Sequence, residues 1–226
     1  MQPDGPKPGL VIFDCDGVLV DSELISLEVL REVVRSKGVE IPLETIVDRF
    51  LGRSLAHERA VLGAEYGVTL TDADIASMSE RLYALFKREL QPIKGVSNAI
   101  SQLTGPRCVA SSSLPERIAL SLQATGLAGF FGRNIYSATQ VARGKPAPDL
   151  FLFAADQMRV KPEHAVVIED SPAGIEAAKA AGMRVLGFVG GSHMQGESMR
   201  QRIAALKPDL VFDDMRALPG LLATRA

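Results

Sequence analysis

Apolar positions in this chain follow two different periods, and the points where one gives way to the other mark out its architecture. Leu10-Val11-Ile12-Phe13 is a continuous apolar run between Gly9 and Asp14, the pattern of a short strand buried on both faces and therefore central in its sheet. From Asp21 the period changes. Leu24, Leu27, Leu30 and Val34 recur every three or four residues, with Asp21 or Ser22 placed to cap a helix and Gly38 to end it. Shorter helices are predicted over 41–51 and 55–66, broken by Gly52 and Gly67. A longer one runs from about 72 to 88, opened by Thr71 or Asp72, with Ile75, Met78, Leu82, Leu85 and Phe86 on one face. Residues 20–90 therefore read as purely helical.

After Pro92 strands and helices alternate. Strands are predicted at Cys108-Val109-Ala110, 134–137, Ala165-Val166-Val167-Ile168, 184–188 and 210–212, with helices over 115–125, 149–158 and 172–181 between them. Units of this length imply an α/β fold: a parallel sheet with right-handed crossovers and helices on both faces. The helical stretch interrupts that fold after its first strand, which makes it an inserted domain. Ligands of open parallel sheets sit beyond the carboxyl ends of the strands, so an insert sprouting there would cover the site.

Composition narrows the function. The chain has 226 residues, room for one α/β core and an insert, and its 25 basic and 27 acidic side chains are interspersed. A nucleic-acid groove would need a concentrated basic stripe, so no nucleic-acid partner is expected. No segment approaches the roughly 18 apolar residues of a membrane span, and Met1 to Gly9 contain no signal-peptide run; a cytoplasmic protein without a membrane partner is the expectation. Cys15 and Cys108 lie in or beside strand-like runs and read as reduced, packed side chains.

Polar groups stand at four strand ends: Asp14 and Asp16, Ser111 to Ser113, Lys145, and Glu169 with Asp170. Each has a bland explanation alone, as a cap, a loop or a solvated lysine, but a parallel sheet brings them to one edge. Carboxylates converging there would raise one another's pKa and repel an anionic substrate unless a cation intervened. Asp14 and Asp170 can supply oxygen ligands to that cation, Glu169 can bind it directly or through water, and the side chain of Asp16 is an open alternative. Mg2+ suits such a site, since it keeps waters and takes few carboxylates, whereas zinc would call for histidine and cysteine. Asp14 is then placed as a nucleophile able to form an acyl phosphate. Asp16, free to swing beside the departing oxygen, serves as general acid and then as general base. Gly17 permits the turn that aims backbone N–H groups at a phosphate. Ser111 is the candidate hydroxyl donor to a phosphoryl oxygen, with Ser112 and Ser113 beside it. Lys145 offsets charge on the nucleophile and the transferring group. Pro172 suits the first position of the helix that orients Glu169 and Asp170.

These residues carry a resemblance. Phe13-Asp14-Cys15-Asp16-Gly17-Val18-Leu19-Val20-Asp21-Ser22-Glu23 resembles the first motif of the haloacid dehalogenase-like hydrolases. Val109-Ala110-Ser111-Ser112-Ser113, Gly144-Lys145-Pro146-Ala147-Pro148-Asp149 and Ile168-Glu169-Asp170-Ser171-Pro172-Ala173-Gly174 are similar to its later motifs, in order. The likeness is to the branch that holds β-phosphoglucomutase, phosphoglycolate phosphatase and small sugar-phosphate phosphatases. It implies a Rossmann-like three-layer core over 1–19 and 91–226, with a helical cap over 20–90. It also implies Mg2+ held by Asp14, Asp170, Glu169 or a water it steers, and the main-chain oxygen of Asp16. The function so implied is hydrolysis of a small phosphomonoester, a sugar or polyol phosphate, through an aspartyl-phosphate.

Alternatives within that family separate on single residues. The founding dehalogenases lack the aspartate that stands here at Asp16, and phosphonate-cleaving relatives use a cap lysine, for which Lys37 and Lys87 are poorly set. A phosphosugar mutase is the main rival. In β-phosphoglucomutase a histidine occupies the position of Ser26, and a lysine and an arginine flank the cap glycine where this chain has Leu51 and Leu55. Their replacement favours water as acceptor. A non-catalytic sensor would show a broken residue set, and this one is complete. In the cap, Arg49, Arg53 and His57 are candidates to contact the non-transferred part of the substrate. Gly190-Gly191-Ser192-His193-Met194 reads as a loop near the same sheet edge whose glycines suggest mobility.

Overall fold

The run from Leu10 to Phe13 forms strand β1 (Leu10–Phe13) at the heart of a parallel six-stranded sheet in the computed structural model, which describes residues 8–51 and 55–223. The others are β2 (Arg107–Ser111), β3 (Ile135–Ser137), β4 (Ala165–Glu169), β5 (Arg184–Phe188) and β6 (Leu210–Phe212), in the order β3-β2-β1-β4-β5-β6. β1 pairs in parallel with β2 on one side and β4 on the other, with Phe13 in register with Val109 and Ile168. Asp14, Ser111 and Glu169 thereby reach the same sheet edge.

Alternation along β1 explains the layers, because successive side chains of a strand point to opposite faces. Leu10 and Ile12 are buried in one apolar cluster with residues of α7 (Asp149–Gln157), α8 (Pro172–Ala180) and α9 (Glu197–Ala205). Val11 and Phe13 are buried in the other, with residues of α5 (Val96–Ser101), α6 (Pro115–Ala124) and α10 (Leu218–Ala223). Helix, sheet and helix make the three expected layers. The helices α5, α9 and α10 were not expected from the sequence; at 6, 9 and 6 residues they are too short for a period of 3.6 to stand out.

Between β1 and α5 run the helices α1 (Glu23–Ser36), α2 (Leu43–Phe50), α3 (Leu55–Tyr66) and α4 (Asp72–Glu89). Thr71 closes a reciprocal capping box with Asp74 at the start of α4. The start of α1 differs from expectation. Ser22 stands at its N-cap but makes no side-chain capping bond: its backbone is already helical, where a capping residue is extended, and its hydroxyl donates to Asp16. The two ends of the helical segment are joined: Asp21 N–H donates to the Gln91 carbonyl and Ile93 N–H to that of Leu19, around a Val20–Pro92 antiparallel bridge. Its apolar faces are continuous with the sheet's clusters, Phe86 and Leu82 of α4 sharing one with Ile118 and Leu122 of α6.

Candidate active site

Three strand ends and one loop place a buried cation among carboxylates. Asp14 follows β1, its N–H donating to the Ile168 carbonyl of β4, and its side chain lies almost wholly inside. Lys145 reaches it from the loop before α7: Nζ is 2.6 Å from Asp14 Oδ1 and 2.5 Å from Glu169 Oε1. Its side chain is only 5% exposed and its ammonium sits 4.8 Å from the centre of the Phe151 ring. The bland reading of Lys145 as a solvated lysine does not hold. Burial would lower its pKa, but the Asp14 and Glu169 carboxylates hold it above the ordinary lysine range.

Glu169 is the hub of this pairing. Its second oxygen accepts from Ser171 N–H at 2.7 Å and Ser171 Oγ at 3.0 Å, while Ser171 caps α8 by accepting from Gly174 N–H. Pro172 occupies the first turn of α8 as anticipated. Gly174 is required by this packing, since a Cβ there would run into the Glu169 carboxylate. Both oxygens of Glu169 thus have protein partners, which fits steering of Lys145 or of a water more closely than direct binding of a cation.

Asp170, at the end of β4, meets a residue absent from the sequence-based set. His193 Nε2 lies 2.9 Å from Asp170 Oδ2, both side chains being buried. Gly17, at φ +79°, passes so close that a Cβ would strike both Asp170 and His193. The segment 190–194, expected to be mobile, is instead packed: Ser192 N–H and Oγ donate to Asp21 Oδ1, and His193 and Met194 are buried. Its glycines serve close approach, a Cβ at Gly190 meeting the Asp213 backbone and the Phe188 ring.

Asp16 departs from expectation too. Rather than swinging freely, it accepts from Ser22 Oγ at 2.6 Å, Ser113 Oγ at 2.7 Å and the Arg117 guanidinium at 2.9 Å. Burial pushes its carboxyl up, but Arg117 and those hydrogen bonds prevail and hold it below the usual range. Arg117, in the first turns of α6, also donates to Ser26 Oγ and lies over the Phe86 ring of α4, so it joins the sheet edge to the helical insert. Ser111 is buried and accepts from Ser113 N–H, and Ser137 at the end of β3 donates to the Ser113 carbonyl, fixing the serine turn. Ser112 is exposed. Arg117 and Ser137 had no signal beyond their polarity in the sequence, Ser22 read there as a helix cap and His193 as part of a loop.

The cap candidates divide. Arg49 pairs with Glu65 of α3, within the insert and apart from the Asp14 cluster. His57 is partly buried on α3, and Arg53 lies outside the described residues. Cys15 and Cys108 are unpaired and buried.

Charge balance provides the test for a cation. Burial pushes the Asp14 and Asp170 carboxyls well above their usual range; Lys145 opposes this, and the neighbouring carboxylates add to it. One lysine leaves Asp14, Glu169 and Asp170 with surplus negative charge, which a divalent ion would offset. No group of three His, Cys, Asp or Glu side chains among the described residues is placed to hold a metal ion by itself. Asp14 and Asp170 are carboxylate donors of the kind Mg2+ takes together with water and substrate oxygen.

A second pair of acids faces the same space. Burial, with Asp16 and Asp170 adding, raises Glu23 to about 7, and burial with Glu23 adding raises Glu58 to about 7. A raised carboxyl binds more protons folded than unfolded between its ordinary value near 4.5 and about 7, so stability falls as pH rises through that window. Glu58→Gln is expected to reduce the loss of unfolding free energy between pH 5 and 8 by roughly 1 kcal/mol, after solvent screening of a partly exposed group, as read from denaturant melts. An unchanged slope would mean that Glu58 titrates as a surface residue.

Known proteins place this geometry in a family. The model of the haloacid dehalogenase-like hydrolases matches residues 8–182, the span from β1 to the end of α8 and its following turn. The chain belongs to the haloacid dehalogenase-like hydrolases. Relatives in the family include 6-phosphogluconate phosphatase of Escherichia coli, 33% identical over 185 residues, 81% of this chain and 83% of the relative. Another is the phosphorylated carbohydrates phosphatase of Thermotoga maritima, 30% identical, covering 91% of this chain and 97% of the relative. Among solved structures, a conserved haloacid dehalogenase-like protein from Agrobacterium tumefaciens superposes with a TM-score of 0.86 at 38% identity, covering 95% of this chain and 97% of that one. No described helix is long and apolar enough to cross a membrane.

Proposed function

We propose that this chain is a Mg2+-dependent phosphatase that hydrolyses a small phosphorylated carbohydrate or polyol through an aspartyl-phosphate on Asp14. The observation that carries the reading is the buried Asp14–Lys145–Glu169 cluster beside Asp170, with Asp16 held two residues from the nucleophile. Lys145 opposes the rise that burial imposes on the Asp14 carboxyl, orients its Oδ1 and faces the charge that gathers on the transferring group. Ser111, in the turn fixed by Ser113 and Ser137, is available to a phosphoryl oxygen. Asp14, Asp170 and the Asp16 main-chain oxygen would hold Mg2+, which supplies charge neutralisation on the phosphate. Asp16 is kept as a carboxylate by Arg117, the state of a general base for the water that cleaves the phosphoenzyme. Its acid step requires that an arriving substrate loosen that pairing, which returns the carboxyl toward the range where it carries a proton.

The insert fits the role of a cap over 20–90 upon a core of 1–19 and 91–226. Ser26, Glu23, Glu58 and Arg117 converge on the leaving-group side and offer partners to hydroxyl groups. The relatives that act on 6-phosphogluconate and phosphorylated carbohydrates support a substrate of that class. Leu51 is buried and Leu55 is apolar, so neither gives the cap charge a mutase would use to rebind a bisphosphate.

A panel of sugar phosphates, polyol phosphates, phosphorylated acids and nucleoside monophosphates, assayed with and without Mg2+, tests this reading. Phosphate release is expected only with Mg2+, with the highest kcat/KM on a sugar or polyol phosphate. Preference for a nucleotide would overturn the substrate class. With β-glucose 1-phosphate and a trace of bisphosphate, inorganic phosphate is expected to outpace glucose 6-phosphate; the opposite ratio would make the enzyme a mutase.

A further inference from the structure

His193 is the residue of this site whose chemistry is incomplete. Its side chain is 1% exposed, and neither ring nitrogen has a hydrogen-bond partner. Nε2 is near enough to Asp170 Oδ2, at 2.9 Å, but the two are not aligned as donor and acceptor. An unpartnered donor fully inside a protein costs about 1–3 kcal/mol, so a structure that keeps one has a use for it.

The surroundings hold the ring in place from several sides. Gly17 and Gly191 leave room for it where any side chain would collide. Ser192 fastens the turn to Asp21, seven residues beyond Asp14 in the first motif, through two bonds of 3.1 and 2.8 Å. Behind it, the Arg200 guanidinium donates to the Met194 carbonyl at 2.8 Å, and the Met194 side chain is buried. The ring is thus braced against Asp170 by two separate parts of the chain.

We propose that His193 is a positioning residue for the cation site: a small turn of the ring brings Nε2–H, 2.9 Å from Asp170 Oδ2, into line with that oxygen and leaves the other oriented for Mg2+. This rests on the phosphatase reading given above. Partners of this kind behind a metal-binding side chain typically change affinity by about ten- to a hundredfold when removed. His193 touches neither the reacting phosphorus nor the substrate in this role. Its loss therefore acts on metal affinity and leaves substrate recognition intact.

Two volume-matched replacements separate the donor from the packing. Gln retains an N–H near the position of Nε2, and Met has similar length with no donor. Calorimetric titration of the substrate-free protein with Mg2+ is the first readout, and the Mg2+ concentration for half-maximal turnover is the second. His193→Met is expected to weaken Mg2+ binding by roughly ten- to a hundredfold. His193→Gln is expected to recover most of that loss, with KM at saturating Mg2+ unchanged in both. Equal affinity in wild type and His193→Met would overturn the proposal while leaving the phosphatase reading intact. Equal weakening in Met and Gln variants would also overturn it, by assigning the effect to ring shape. A wild type that binds no Mg2+ and releases phosphate without it would sink both readings.

Discussion

Asp14→Asn is expected to lower phosphate release by at least about 10⁴-fold while leaving the fold intact. An amide of the same shape cannot attack phosphorus to form an acyl phosphate, and Glu169, the other carboxylate paired with Lys145, has its second oxygen held by Ser171. Stability gives the control. The ionised Asp14 is unfavourable in the folded protein, since burial and the neighbouring acids raise its pKa. A raised carboxyl binds more protons folded than unfolded, so its contribution declines as pH rises above the ordinary aspartate range. The asparagine removes that decline, and Lys145 keeps Glu169 as a partner. The thermal midpoint of Asp14→Asn is expected to equal or exceed that of wild type at pH 8. Full turnover in a folded variant would remove Asp14 from the chemistry; inactivity together with a large drop in midpoint would make it a scaffold residue.

Lys145→Met should have the opposite signature, losing stability as well as rate. Methionine fills a similar volume against Phe151 but leaves Asp14 and Glu169 buried without their shared cation. Breaking one side of a buried pair typically costs about 3–5 kcal/mol, which for a chain of this size is roughly 10 °C in midpoint. The loss is expected to shrink on acidification, as Asp14 takes up a proton and the uncompensated charge disappears. Turnover is expected to fall by about 10²–10³-fold, the scale of removing a preorganised electrostatic partner. Urea melts at pH 8 and 5.5 measure the first effect and steady-state rates the second. A variant as stable as wild type at pH 8 would show that water or another group had taken over the charge.

The fold was legible because its strands are short apolar runs and its long helices are amphipathic, two patterns that survive without any tertiary information. The same logic located Asp14, Ser111, Glu169 and Asp170, each the first polar group at or just past the end of a strand. Register between parallel neighbours then determined that they would meet. What escaped lies on the far side of such contacts. Arg117 looks like any arginine on an amphipathic helix until α6 turns it toward Asp16. His193 sits among glycines that, without neighbours, signal freedom; in the folded chain the same glycines make room for a tightly held ring. Ser22 read as a cap of α1, and only the fold of the Asp14–Gly17 turn brings its hydroxyl to Asp16. Arg49, a candidate in the sequence for contact with the substrate, pairs with Glu65 on a neighbouring helix, a partner its position in the sequence does not announce.

The bridge between Val20 and Pro92 has a consequence for how such a molecule can diversify. Because the departing and returning chains already lie side by side, the 71 residues between Val20 and Pro92 hang from the sheet as a single loop with its neck zipped shut. Changing the length of a loop so anchored adds little closure entropy, which grows only with the logarithm of length. Helices between the two strands of the neck are therefore open to exchange or redesign while the residues that hold phosphorus keep their places. The principal tie to respect is the seam of Leu82 and Phe86 against α6, where Arg117 looks both ways.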